Sequence, residues 1–151
     1  MELVDFASTL LLGSTWEDKL VSSGGAMTDD RPGPPLTATP AFPGRPPNLA
    51  RFGRSEFPDL RKLADARARG RLLHFFANHE LLAMELMALA LLKFPDADSR
   101  FRRGLLRTIE EEQKHLRLYV ARMRELGVEF GELPVSDYFW NALKDCASPL
   151  E

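Results

Sequence analysis

The sequence predicts an all-α chain: an antiparallel pair of long helices preceded by an extended, proline-rich segment. Residues 71–94 (RLLHFFANHELLAMELMALALLKF) and 101–126 (FRRGLLRTIEEEQKHLRLYVARMREL) both repeat apolar residues at the three- and four-residue spacing of a helix. Between them, PDADS supplies Pro95 as a helix breaker and Asp98 or Ser99 as the next N-cap, so the two helices fold back through a tight turn. Upstream, seven of the eleven prolines fall at positions 32, 34, 35, 40, 43, 46 and 47, which forces polyproline-like chain in place of helix.

In chain order, residues 3–21 (LVDFASTLLLGSTWEDKLV) read as a short apolar helix, a Gly-Ser break and a second short amphipathic turn with Trp16 and Leu20 on one side. Their expected role is to cover the helical pair. The proline-rich stretch from Ser22 to Pro47 is expected to wrap the helices, with Leu36, Phe42 and Leu49 pinned on them. Residues 51–71 carry seven basic side chains (Arg51, Arg54, Arg61, Lys62, Arg67, Arg69, Arg71) against Glu56, Asp59 and Asp65, a local excess of four positive charges. Pro58 suits the first turn of a helix running toward Gly70. Such a basic segment either presents a solvated face or tracks phosphates, which makes RNA a candidate substrate. After the hairpin, Gly127 is a natural helix C-cap, VEFGELPVSDYFW an irregular strap, and Asp137 or Ser136 a cap for a last helix from Tyr138 to Cys146. The organisation is thus residues 1–57 as short helices and wrap, and 58–151 as hairpin and strap, within one domain.

The totals narrow the function classes. With 151 residues and 44% hydrophobic content, a helical core is within reach, and a net charge of −2 gives no global attraction to nucleic acid or acidic membranes. The one cysteine, Cys146, rules out an internal disulfide and fits a reducing cytoplasm. Glu2 and Asp5 replace the basic start of a signal peptide, and the apolar run Leu81–Phe94 is too short for a bilayer and contains Glu85. A soluble cytoplasmic protein is expected.

Two acids stand out on the helical wheel. Phe101, Leu105, Thr108, Ile109, Leu116, Tyr119, Met123 and Leu126 share one side of the second helix, with Glu112 at its centre and His115 at its edge. On the first helix, Leu73, Phe76, Met84, Met87 and Leu91 share a face whose middle is Glu80, while Glu85 falls on the other side with Arg71, Asn78 and Lys93. Counting from Ala97 in the turn, Glu80 lies 17 residues back and Glu112 and His115 lie 15 and 18 forward. At ~1.5 Å per residue all three stand roughly 25 Å from the turn, at the same level. A buried carboxylate without a partner costs several kcal/mol, so facing glutamates need a cation or shared protons. Carboxylates plus imidazole without thiolate suit iron, manganese or zinc, and one Glu opposite Glu-x-x-His is half of a dinuclear carboxylate site. Glu80, Glu112 and His115 are therefore the candidate metal ligands, Glu85 the second choice, and His79 and Tyr119 candidates for supporting them. The plainer alternative is a buried glutamate satisfied by His115 or Tyr119 without metal. No catalytic residue is identifiable.

The stretch from HFFANHEL to SDYFW, with WEDKL, TDDRPGPPL and PAFPGRPP upstream, closely resembles a bacterial ferritin-like family known as domain of unknown function 455, over nearly the whole chain. The resemblance implies a ferritin-like four-helix bundle, distantly similar to di-iron tRNA hydroxylases, with Glu80 as the single carboxylate and Glu112 and His115 as the Glu-x-x-His pair. Glu85 belongs to the same HEL-x-x-x-EL pattern. It also implies two iron ions per complete site, and a second helical pair with another Glu-x-x-His beyond SPLE. This sequence has no second Glu-x-x-His, so a homodimer or a further C-terminal half would have to complete the bundle. The functions to weigh are an oxygen-activating di-iron hydroxylase, an iron-handling protein, and a metal-free helical interaction module.

Overall fold

The computed structural model describes residues 1–22, 24–54 and 57–149. Glu56, one of the acids weighed against the basic segment, lies outside them, as do Leu150 and Glu151. The first helix, α1 (Leu3–Leu12), buries Leu3, Phe6, Ala7, Leu10 and Leu11. It breaks at Gly13, and the one-turn α2 (Trp16–Lys19) restarts on a capping box. In that box the Asp18 N–H donates to Thr15 Oγ1 at 3.1 Å and the Thr15 N–H to Asp18 Oδ2 at 3.0 Å. Trp16 and Leu20 pack against the core, as their shared side predicts.

The proline-rich segment then crosses the molecule with no strand among the described residues, since prolines remove the donors a ladder needs. It is fastened at points. The Leu36 N–H donates to the Leu92 carbonyl at 2.8 Å, Leu49 is buried, and the Ala41 carbonyl accepts from the buried Trp140 indole at 2.8 Å. Phe42 departs from expectation: it is 46% exposed and stacks on Phe52 at 4.8 Å, at the rim.

The helix expected from Pro58 does not form. Asp59 accepts the Arg61 N–H and sets a single 3-10 turn, Leu60–Lys62; α3 (Ala66–Lys93) starts only where Asp65 accepts the Ala68 N–H at 2.7 Å. Local carboxylates thus capture the backbone donors that a helix begun at Pro58 would have used. At the turn, Asp98 takes the N-cap role, accepting the Arg100 N–H at 2.8 Å, and α4 (Ser99–Glu125) runs back antiparallel. Gly127, at φ 77°, lets the Val128 N–H reach back to the Met123 carbonyl at 3.0 Å and close the helix. The strap buries Val128, Phe130 and Val135, and α5 (Tyr138–Leu143) is shorter than expected, with Ser136 Oγ accepting the Tyr138 N–H.

α3 is the central element, packed by α4 on one side and α1 on another. By length and composition it could cross a membrane, but 56% of that window is buried within the protein. Its burial is wider than the predicted face. Met84 and Leu91 of the Glu80 face are buried as expected, but Phe76 there is 38% exposed, and the Glu85 side, with Ala77, Leu81, Leu82, Ala88, Leu89 and Leu92, is buried as well. On α4 the buried stripe runs through Arg102, Ile109, Gln113, Leu116, Val120 and Met123, one position round from the predicted centre at Glu112. The cause is polar burial, which a wheel built on hydrophobicity does not see. Gln113 Nε2 donates to the carbonyls of Lys19 and Val21, and Arg102 is paired with Asp29 at 2.7 Å.

Candidate metal centre

The flank of the hairpin away from α1 carries the predicted residues. Glu80, at mid-α3, meets Glu112 and His115 of α4, and one donor atom from each lies within 4.8 Å of the others. His115 Nδ1 is 2.8 Å from Glu112 Oε2; the Glu112 side chain is 21% exposed and that of His115 53%. Helix geometry supplies this proximity: residues three apart on α4 stack on one face, and equal distance from the turn sets Glu80 across from them.

Electrostatics follow from the crowding. Partial burial, a hydrogen bond to Glu112 and the neighbouring Glu112 charge push the Glu80 carboxyl up to about 7, with His115 opposing. The hydrogen bond to Glu112 raises the His115 imidazole above its usual range, with the charges of Glu112 and Glu80 adding to it against some desolvation. Glu112 therefore lies between two groups whose protonated forms it favours.

Two carboxylates and an imidazole are a donor set that could hold a metal ion. Ligands of one ion at about 2.0–2.2 Å stand roughly 3–4 Å apart, and the three donor atoms here lie within 4.8 Å of one another. Three ligands from two helices are half of what a dinuclear carboxylate site needs. The proposed supporting residues do not hydrogen-bond to them among the described residues. His79 uses Nδ1 on the Phe75 carbonyl at 2.9 Å, and the Tyr119 ring stacks with Phe76 at 6.4 Å.

Glu85, the second choice, sits on the opposite side of α3 and is fully buried in an ion-pair cluster. Arg45 approaches it with Nη2 at 2.6 Å and Nε at 2.9 Å, and Lys19 Nζ lies 3.2 Å away. Arg45 Nη1 also donates to Asn78 Oδ1 and the Leu49 carbonyl, and Lys19 Nζ to the Leu10 carbonyl. Both Glu85 oxygens are spent on these cations, which tie α2 and the wrap to α3. Sequence reasoning missed Lys19 and Arg45; the available signal was a Glu inside an apolar run, which requires a cation from elsewhere.

These features define a helical-hairpin protein with a carboxylate–imidazole cluster on one flank. The family described as "Protein of unknown function (DUF455)" matches residues 8–151, and the chain belongs to it. No curated protein matches the chain, and no solved structure does.

Proposed function

We propose that the chain carries one half of a ferritin-like dinuclear metal–carboxylate centre, with iron as the expected metal and manganese as the alternative. The carrying observation is that Glu80, Glu112 and His115 offer donor atoms within 4.8 Å of one another. These three residues would hold the metal. Bound iron would supply dioxygen activation, and the proposed reaction class is oxidation or hydroxylation of an organic substrate in the cytoplasm. Glu112, with Oε2 at 2.8 Å from His115 Nδ1 and its charge beside Glu80, would orient the cluster. Glu80, titrating near neutrality, can take up or release a proton beside it. The exposed Phe76 and Phe139 leave the site flank open to further helices, which suits completion of the bundle by a second copy or by additional family sequence.

The test is metal content after aerobic purification, with Glu112→Ala as control. Iron or manganese in the parent chain and its loss in the variant are expected; equal, negligible content in both would overturn the proposal. Light scattering separates the enzyme from an iron-handling protein, since storage calls for large symmetric assemblies and the enzyme for a dimer or monomer. A second reading, a metal-free helical interaction module, draws on the same raised Glu80: a shared proton can also make two adjacent carboxyls tolerable.

A further inference from the structure

The basic segment resolves into two populations. Four of its cations are engaged: Arg61 with Asp59, Arg67 with Glu132 and the Gly127 carbonyl, Arg69 with the carbonyls of Leu63 and Ala64, and Arg51 with those of Gly131 and Glu132. The other three, Arg54, Lys62 and Arg71, form no ion pair among the described residues, and all three line one cleft of about 530 Å³. This volume lies in the range of small-molecule sites, roughly 300–1,000 Å³. The acid at its rim, Asp59, is already held by two Arg61 nitrogens at 3.0 and 3.1 Å, so among the described residues the cleft carries an excess of positive charge in a chain of net charge −2.

The rest of the lining is aromatic. Phe57, 52% exposed, stands edge-to-face on Phe75 at 5.2 Å and presents a flat apolar wall beside the cations. His74, 2% exposed, also lines the cleft. Its Nε2 accepts the Gly131 N–H at 3.0 Å, which puts the ring proton on Nδ1, and no acceptor for that proton is found among the described residues. Guanidinium forks match phosphate oxygens, and an aromatic wall matches the face of a base.

We propose that this cleft binds a small nucleoside phosphate, its phosphate on Arg54, Lys62 and Arg71 and its base against Phe57 and Phe75. The site uses none of Glu80, Glu112 and His115 and stands or falls apart from the metal proposal.

The test is calorimetric titration of the chain at low salt with adenosine 5′-monophosphate, adenosine and inorganic phosphate. The nucleotide should bind at least about tenfold more tightly than either fragment, since only it engages both halves of the cleft. Arg71→Gln and Arg54→Gln should each weaken it about tenfold through a lost charge-assisted contact. Phe57→Ser should weaken the nucleotide about tenfold through lost stacking and leave phosphate binding unchanged. Arg103→Gln, an exposed cation on α4, should change neither. All three cleft substitutions replace exposed side chains, and circular dichroism melting checks that each variant is folded. Absence of nucleotide binding at millimolar concentration would overturn the proposal, as would an equal loss in Arg103→Gln. Tight binding of a ten-nucleotide single-stranded RNA without binding of the mononucleotide would replace it with a nucleic-acid surface.

Discussion

Substituting Glu80→Gln should stabilise the metal-free protein at alkaline pH. Glu80 is raised from 4.5 to about 7 in the folded chain by partial burial and by Glu112. The folded state therefore holds a proton that the unfolded chain releases between those two values. By linkage, stability is greatest below about pH 4.5 and falls as pH rises toward 7, where both states are ionised and the folded one bears the repulsion. At about 1.36 kcal/mol per pKa unit the ceiling is about 3.4 kcal/mol, which solvent screening at this partly exposed position reduces to about 1–2 kcal/mol. Glutamine keeps the shape, donates to Glu112 and never ionises. In urea unfolding with a chelator present, the variant should exceed the parent at pH 8 by about 1–2 kcal/mol, or about 3–6 °C in Tm, with the gap closing toward pH 4.5. His115, also raised, adds to the parent's loss of stability as pH rises and is partly relieved in the variant. Parallel pH profiles, or a variant less stable at pH 8, would refute the reasoning. Added metal should reverse the trend, because an ion binds the ionised carboxyl and selects against the proton.

Further outcomes are expected elsewhere in the fold. Glu85→Gln leaves Lys19 and Arg45 buried without their counter-ion and should cost about 3–5 kcal/mol in urea unfolding; a loss under about 1 kcal/mol would mean the cluster is solvated. Gly70→Ala would set a Cβ 2.6 Å from Val128 Cγ2, so the strap must move; a net destabilisation of about 1–2 kcal/mol should outweigh the gain in helix propensity of about 1 kcal/mol. Asp98→Ala removes the α4 cap on the Arg100 N–H and should lower stability by about 1 kcal/mol in the same assay.

The sequence by itself determined the helical pair, its turn and the meeting of Glu80 with Glu112 and His115. Those features depend on short-range regularities: apolar periodicity, a proline with adjacent caps, and equal counts from a turn at fixed rise per residue. It also placed α1, the Gly13 break and the close of α4 at Gly127, where one residue type dictates the local backbone. Tertiary structure decided which sides of the helices are buried. The wrap and α1 cover the Glu85 side of α3, and Lys19, Arg45, Gln113 and Arg102 are buried because distant carbonyls and carboxylates satisfy them. No periodicity encodes such partners, since they come together only when segments far apart in sequence are packed. The same holds for the cations of the cleft: seven basic residues look alike in one dimension, and only packing separates the four that have partners from the three that form no ion pair among the described residues.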